Sequence, residues 1–242
     1  MRSTTLAAKF PEARKWANKA LDLIFPPVCA ACSKLGLLIC DECLAQMSRV
    51  SEPLCQRCGR PLLYPAPVCG DCLNPSFRWQ QVRAPLAYRE PTTKIIHKLK
   101  YDGLFALAKP LAQIMAGAWP DWDNSPDVLV PIPLHKQRQR QRGFNQSALL
   151  AVFLGQQINI AVDEQAVRRI RRTKPQIGLT PDERLENVRD AFTAESDQVR
   201  NKQILLVDDV YTTGATMSAA ADALLDSGAA TVSAYCLART VL

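Results

Sequence analysis

The sequence lacks the long apolar runs that mark membrane-spanning and secreted proteins. No apolar stretch approaches the roughly 20 residues that a transmembrane helix needs, so no membrane span is predicted. The first 24 residues are basic, with Arg2 and Lys9 among them, but they have no continuous apolar core of the kind found in a secretory signal. We interpret residues 1–28 as a short amphipathic helix followed by a break, and we expect a cytoplasmic protein.

Cysteine is scarce in most of the chain and dense in one segment. Eight of the nine cysteines fall between residues 29 and 72 as four C-x-x-C pairs, and only Cys236 stands apart. In a cytoplasmic chain such clustering favours metal ligation over disulfides, because thiols stay reduced there. Tetrad one is the set Cys29, Cys32, Cys40 and Cys43, and tetrad two is the set Cys55, Cys58, Cys69 and Cys72.

Each tetrad matches the ligand set of a zinc ribbon. A C-x-x-C turn presents two thiolates from one tight loop, and two such turns complete a tetrahedron around Zn²⁺. The simplest arrangement is two consecutive ribbons; an arrangement in which the pairs alternate between metals is the alternative. Closed four-sulfur sites leave no open coordination position, so we predict two structural Zn²⁺ ions. We expect this module to be separable, so that Cys55→Ser leaves ligand binding elsewhere intact.

The chain also has little unbalanced charge once these sites are considered. Its formal charge is +7. Four thiolates around one Zn²⁺ carry a net charge of about −2, so two sites would lower the total to about +3. Net charge is therefore a weak argument for nucleic-acid binding, and local basic clusters must carry any such function.

From Val82 onward, strand-like and helical patterns alternate, which is typical of an α/β domain. Strands are predicted at 128–134, 166–170, 204–207 and 231–238, and helices at 144–158 and 216–228. The predicted domains are the N-terminal helix at 1–28, a double zinc ribbon at 29–80 and an α/β domain at 81–242.

The segment ILLVDDVYTTGAT, residues 204–216, carries the main chemical signal. A buried strand that leads through small residues into a helix creates a phosphate site, where free N–H groups and the helix dipole favour an anion. The carboxylates of Asp208 and Asp209 suit neighbouring hydroxyl groups or a hydrated Mg²⁺, so a sugar phosphate is predicted. The alternative is an acidic loop that only caps a helix. We expect both carboxylates to lie near solvent, so that neutralising them costs little stability.

Two other phosphate-binding classes are disfavoured by what the segment lacks. A P-loop needs a lysine after its second glycine, and none is present. A receiver domain also has an acidic pair after its first strand, but only 34 residues follow Asp208, too few to complete that domain.

The same segment closely resembles the phosphoribosyl pyrophosphate (PRPP) binding motif of type I phosphoribosyltransferases. With VPIPLHKQRQRQRGFNQS, RRTKPQIGLTPDERLENVRDAF and the cysteine module, the chain resembles the ComF family over roughly residues 29–240. The resemblance implies an α/β, parallel-sheet type I phosphoribosyltransferase fold preceded by a small zinc-ribbon module. It also implies PRPP as the ligand, together with Mg²⁺.

The resemblance assigns residues as follows. The PRPP-binding residues would be Asp208, Asp209, Val210, Tyr211, Thr212, Thr213, Gly214, Ala215 and Thr216. Arg138 and Arg142 would lie beside the pyrophosphate. Arg172 would lead into a loop at 173–190 that closes over the ligand and carries Gln176 and Arg184. A third basic stretch, 95–103 with Lys98, Lys100 and Tyr101, would line the site entrance, bind nucleic acid or form a solvated helix face.

The family is linked to DNA uptake in natural competence, so single-stranded DNA and DNA-uptake or recombination proteins are the implied macromolecular partners. We therefore expect a PRPP-binding protein with a role in DNA uptake or single-stranded DNA handling. The alternative is an active transferase that moves the phosphoribosyl group from PRPP to a nitrogen nucleophile in nucleotide metabolism or salvage. No acceptor is readable from the sequence.

Overall fold

The computed structural model describes residues 26–73, 77–171, 183, 187–188 and 190–241. The chain forms two compact units, one reaching to Gln46 and one beginning at Met47. In the described ranges no helix has the length and apolar character that a membrane crossing requires. The helix predicted within 1–28 and most of the loop predicted at 173–190 lie outside the described residues.

The helices and strands are numbered here in chain order. The strands are β1 (Val82–Arg83), β2 (Leu86–Ala87), β3 (Val128–Pro131), β4 (Val167–Arg169), β5 (Phe192–Ala194), β6 (Gln203–Tyr211) and β7 (Thr231–Arg239). The α-helices are α1 (Asp41–Ala45), α2 (Thr92–Tyr101), α3 (Ala108–Gly117), α4 (Lys136–Arg142), α5 (Gln146–Ile158), α6 (Ser196–Val199) and α7 (Ala215–Asp226). Short 3₁₀ turns occupy Gly70–Cys72 and Phe105–Leu107.

The described part of the first unit is folded around tetrad one. Antiparallel pairing of Val28 with Leu35 closes the first C-x-x-C turn, and the Cys29 N–H donates to the Lys34 carbonyl at 2.8 Å. Helix α1 carries the second turn, with Cys43 buried. Because so short a segment has little apolar surface to bury, its order depends on the cysteine site.

The second unit is built on a parallel sheet, as the alternating patterns predict. Within the described ranges its strand order is β1–β7–β6–β3, with β2 also paired to β7, and each of these pairings is parallel. Strands β4 and β5 form a separate antiparallel pair. Central strands of such a sheet are covered on both faces, which explains why 204–207 is continuously apolar.

Strand β6 is longer than predicted. It continues through both carboxylates to Tyr211, because β7 pairs with it from Thr231 to Arg239 and supplies partners along the whole length. Asp208 stands opposite Cys236 in this register. The aspartates therefore lie on ordered strand backbone, and the loop begins only after Tyr211.

One hydrophobic cluster joins the sheet to tetrad two. All four tetrad-two cysteines are buried, and they pack in a cluster with Trp79, Leu206, Tyr211 and Cys236. Met217 and Leu224 of α7 belong to the same cluster. Elsewhere on β7, the hydroxyl of Tyr235 lies 2.8 Å from the carbonyl oxygens of two residues at the end of α3.

The packing changes what we expect from loss of tetrad two. A residue in the shared core cannot be removed without disturbing the sheet, so Cys55→Ser is no longer expected to spare the α/β part. The predicted domain boundaries at residues 28 and 80 stay a prediction, since the two compact units follow packing and divide at Gln46.

Candidate functional site

Both tetrads have the geometry of four-sulfur metal sites. Within each tetrad the ligand atoms all lie within 4.8 Å of one another. The Cys32 and Cys40 sulfurs are 3.6 Å apart and the Cys58 and Cys69 sulfurs 3.7 Å apart. Tetrahedral Zn²⁺ with Zn–S bonds of about 2.3 Å would place its sulfurs about 3.8 Å apart. The consecutive arrangement is therefore confirmed and the alternating one is wrong; the residues fit two structural zinc ions.

The first cysteine of each tetrad is held as a ready thiolate. Burial alone would raise both pKa values, but backbone N–H donors outweigh it and lower the pKa of Cys29 to about 6 and that of Cys55 to about 7. Among these donors are the N–H of Cys40, 3.5 Å from the Cys29 sulfur, and the N–H of Cys69, 3.3 Å from the Cys55 sulfur. Thiolates are the form that binds metal, so Cys29 and Cys55 are prepared for Zn²⁺ near neutral pH, whereas burial raises the pKa of Cys43 and Cys72, which must lose their protons when metal binds.

A cavity of about 400 Å³ opens where β6 ends and α7 begins. Its walls come from α2, the segment after β3, the start of α5, β4, and the β6–α7 loop. The lining residues are Tyr88, His97, Lys100, Tyr101, Ile132, Leu134, Arg138, Gln146, Ser147, Arg169, Asp208, Asp209, Val210, Tyr211, Thr212, Gly214, Ala215, Thr216 and Met217. The structure thus brings together, in one wall, every residue predicted from 208 to 216 except Thr213.

The Asp208 carboxyl group is shaped by burial and hydrogen bonding. Its Oδ1 accepts from the Ser147 hydroxyl at 2.7 Å and from the Asp209 N–H at 2.9 Å. Burial, and then the negative charge of Asp209, raise the pKa of Asp208 to about 7, against the opposing effect of the Ser147 hydrogen bond. Near neutral pH this carboxyl can therefore either accept or donate a hydrogen bond.

The second carboxylate is an ion pair inside the core. Asp209 is 3% exposed, and its Oδ2 lies 2.9 Å from Nζ of Lys100, whose side chain is 20% exposed. Burial disfavours the ammonium group, but attraction to Asp209 outweighs it and raises the pKa of Lys100. The expectation that both carboxylates lie near solvent is wrong for Asp209, because the strand continues and α2 covers it.

The loop after β6 has the features of an anion site. Gly214 precedes α7 with φ of 81°, a left-handed conformation, and a methyl group there would lie 2.5 Å from the Tyr211 hydroxyl, so only glycine fits. The twelve-residue helix α7 directs its free N–H groups toward this loop. The Thr213 hydroxyl, which does not line the cavity, is buried and has no hydrogen-bond partner among the described residues.

The predicted arginines take different positions. Arg138, exposed on α4, lines the cavity, and Arg169 of β4 lines it too. Arg142 stands over the Tyr101 ring at 5.1 Å and donates to the Gln146 side chain. Burial lowers the pKa of Arg142 and of Arg169, as expected for cations drawn out of solvent. The predicted residues Arg172, Gln176 and Arg184 lie outside the described residues.

Sequence reasoning missed two side chains that organise the site. Ser147, in the first turn of α5, holds Asp208 across 61 residues of sequence, and Arg239 ends β7 behind the loop. Lys100 was noticed only as part of a basic stretch. One sequence signal could have found Ser147: it lies at the start of the helix predicted at 144–158, which follows the strand predicted at 128–134. Because parallel strands end at one edge of the sheet, the start of that helix is expected near the end of the next strand, where Asp208 lies.

Comparison with known families gives two matches along the chain. A family described as double zinc ribbon domain matches residues 20–73, and one described as phosphoribosyl transferase domain matches residues 145–240. Together with the parallel sheet, these matches confirm the predicted fold class, a type I phosphoribosyltransferase fold preceded by a zinc-ribbon module.

Several curated proteins are similar over nearly their whole length. The DNA utilization protein YhgH of Salmonella typhimurium is 36% identical over 208 residues, which cover 84% of this chain and 91% of that protein. Competence protein F of Haemophilus influenzae is 31% identical over 83% of this chain and 90% of its own. Competence protein ComFC of Bacillus subtilis is 31% identical over 84% of each.

Among solved structures, glutamine PRPP amidotransferase from B. subtilis, complexed with ADP and GMP, is similar over 54% of this chain and 26% of that one. The sequence identity is 20% and the TM-score is 0.38.

Proposed function

Because this chain belongs to the ComF family, together with the DNA utilization protein YhgH and competence protein F, we propose that it binds PRPP at the carboxyl edge of its sheet and serves DNA uptake or single-stranded DNA handling. One observation carries the PRPP part. A carboxylate pair and a glycine-led helix N-terminus face the same cavity of about 400 Å³, which is the combination of a hydroxyl site and an anion site that a sugar phosphate needs.

The roles within this proposal follow from chemistry. Asp208 and Asp209 accept hydrogen bonds from the ribose hydroxyls, and their carboxylates are the groups that would hold a hydrated Mg²⁺ brought with PRPP. The loop from Thr212 to Thr216 and the N–H groups of α7 hold the 5′-phosphate. Arg138 and Arg169 neutralise the pyrophosphate, since guanidinium groups match phosphate oxygens in pairs.

The PRPP part is tested by calorimetric titration of the full-length, zinc-loaded protein with PRPP in the presence of Mg²⁺. Asp208→Asn should weaken binding by at least about tenfold, because it removes a charge-assisted contact. Asp121→Asn, which changes an exposed carboxylate outside the cavity, is the matched control and should bind as the wild type does. Absence of PRPP binding by wild-type protein with its zinc in place would contradict the proposal. A pyrophosphate-release assay with nitrogen bases then distinguishes a binding protein from the alternative, an active transferase.

The DNA part rests on the relatives' names and on one surface. Lys136 and Arg140 are exposed on α4, and Arg142 of the same helix stands over the ring of Tyr101, which is 61% exposed; Phe105 is 62% exposed. Positive charge beside exposed rings is what sequence-independent single-stranded DNA binding uses, through phosphate contacts and base stacking. A cytoplasmic location belongs to the same proposal.

Anisotropy titrations with a labelled single-stranded oligonucleotide test this part. Replacing both Lys136 and Arg140 by Glu should weaken binding at every sequence tested and reduce the slope of log affinity against log salt by about 2. A DNA affinity that does not depend on salt, or that is unchanged by both replacements, would contradict the DNA part of the proposal without affecting the PRPP part.

A further inference from the structure

Arg239 is a buried cation at the end of β7. It is 2% exposed, and its Nη1 donates to the backbone carbonyl of Cys58, a tetrad-two residue, across 181 residues of sequence. No Asp or Glu forms an ion pair with it in the part of the chain that the structure describes. A buried charge without a counterion is strongly disfavoured, and a zinc site of four thiolates, with net charge of about −2, is the counterion within reach.

The turn that carries Cys58 is tightly fitted around this arginine. Gly59 has φ of 67°, and a methyl group on it would lie 2.7 Å from the Val82 carbonyl oxygen and 3.7 Å from Nη1 of Arg239. The N–H of Val82 donates to the Arg57 carbonyl at 2.7 Å. The metal-binding turn, strand β1 and Arg239 therefore hold one another, and a change in the turn must move the guanidinium.

On its other side, Arg239 contacts Tyr211. The guanidinium carbon lies 5.4 Å from the centre of the Tyr211 ring, a cation–π contact, and the Thr240 N–H donates to the Tyr211 carbonyl at 3.0 Å. Trp79, from the same core, meets the ring edge-on at 6.5 Å. The Tyr211 ring is thus contacted by Arg239 and Trp79, and its hydroxyl lies where a methyl group on Gly214, the residue that precedes α7, would be.

We propose that Arg239 is a positioning residue through which metal bound at tetrad two sets the conformation of the phosphate loop. Tetrad two orders the Cys58 turn, the turn fixes Arg239, and Arg239 fixes the Tyr211 ring, whose hydroxyl fills the space where a side chain at Gly214 would lie. The inference rests on the proposed function for the identity of the ligand, but the link from tetrad two to the loop does not depend on that identity. Because coupling between binding sites is reciprocal, PRPP bound at the loop must also raise the affinity of tetrad two for zinc, and of tetrad two alone.

The first test needs no ligand. Amide hydrogen exchange of the full-length, zinc-loaded protein is followed at residues 212–217, which form the loop and the start of α7. Residues 204–207 of β6 serve as the reference segment. Arg239→Met keeps the aliphatic stem and removes the guanidinium, so exchange at 212–217 should rise roughly tenfold more than in the reference segment. Arg78→Met is the matched control, since Arg78 pairs with Asp226 at the far end of α7, and it should leave 212–217 unchanged. An equal rise in both segments, or no rise, overturns the proposal.

The second test measures the affinity of tetrad two for zinc, by equilibrium competition with a chelator, with and without PRPP and Mg²⁺. Cys43→Ser removes tetrad-one zinc and so assigns the remaining site to tetrad two. PRPP should raise the zinc affinity of that site at least about fivefold. In Tyr211→Phe, which keeps the ring and loses the hydroxyl, this increase should fall to less than about half. An undiminished increase in Tyr211→Phe, or an equal increase at both zinc sites in wild type, overturns the proposal.

The two tests separate this inference from the function on which it depends. If wild-type protein does not bind PRPP, the calorimetric result rejects the proposed function, while the exchange experiment still decides whether Arg239 links tetrad two to the loop. If PRPP binds but loop exchange ignores Arg239→Met, the function stands and the positioning role fails.

Discussion

The two cysteine tetrads have the same ligands and nearly the same spacing, yet they occupy different environments. In tetrad one, Cys32 is exposed and the surrounding segment belongs to the small first unit. In tetrad two, all four cysteines are buried and share a hydrophobic cluster with the sheet and α7. Identical metal chemistry can therefore order a small separate segment or form part of a domain core, and only the packing around the sulfurs distinguishes the two.

The largest expected effect separates the tetrads directly. Cys55→Ser should cost the second unit more than about 5 kcal/mol, because zinc binding to such sites is itself folding free energy and the lost site lies in the core. Cys29→Ser, the equivalent change in tetrad one, is the matched control. Thermal unfolding by circular dichroism, with zinc content measured on each variant, should show the main transition lost in the first variant and kept in the second. Equal loss in both variants would break the comparison.

The carboxylate pair allows a second buried charged group of the same unit to be compared with tetrad two. Asp209→Asn should destabilise the protein by about 3 to 5 kcal/mol, because it leaves the largely buried Lys100 ammonium without its partner. Urea unfolding gives the value. The double variant Lys100→Met, Asp209→Asn removes both charges and should recover much of the loss. If Asp209→Asn alone were as stable as the wild type, the core would tolerate an unpaired charge at Lys100, in contrast to its sensitivity at tetrad two.

A pair of glycines tests the packing of the loop between β6 and α7. Gly214 and Gly143 have φ of 81° and 84°, but a methyl group at Gly214 meets the Tyr211 hydroxyl, whereas one at Gly143 meets nothing within 4 Å. Both Ala variants lose the ease of a left-handed conformation, so the difference between them measures the steric contact. Gly214→Ala should be less stable than Gly143→Ala by about 1 to 3 kcal/mol in chemical unfolding. Equal losses of stability in the two variants would show that the Tyr211 side chain moves aside from the added methyl group at no measurable cost.

The smallest expected effect is a pH dependence confined to the carboxylate end. The pKa of Asp208 is about 7 in the folded protein against 3.8 as its ordinary value. As pH rises between these values the unfolded chain releases this proton and the folded chain keeps it, so the contribution to stability is present below 3.8 and is lost as pH rises to about 7. Between about pH 6 and about pH 7.5 the wild type should lose about 1 kcal/mol relative to Asp208→Asn. Parallel stability curves for the two proteins would contradict the assignment.

Much of the site could be predicted because its signals are local. The C-x-x-C spacing predicted four-sulfur sites and made consecutive pairing the simplest arrangement, and the positions of the sulfurs then excluded the alternating one. The apolar run before Asp208 and the small residues around Gly214 predicted a strand, a loop and a helix, and all three form between Gln203 and Asp226. What failed was the environment of the carboxylates, since exposure depends on which other segments cover a strand end.

The sequence by itself determined the cysteine metal sites, the α/β class and the strand, loop and helix around Gly214, because each depends on short-range spacing and periodicity. Only the tertiary structure decided that Ser147 holds Asp208, that Lys100 neutralises Asp209, and that Arg239 connects tetrad two to Tyr211. These contacts join residues that are 61, 109 and 181 positions apart for Ser147–Asp208, Lys100–Asp209 and Cys58–Arg239. Their partners are chosen by the order and register of parallel strands, which bring strand ends and helix starts to one edge of the sheet. No local pattern specifies that choice, because it is made by the packing of the whole unit.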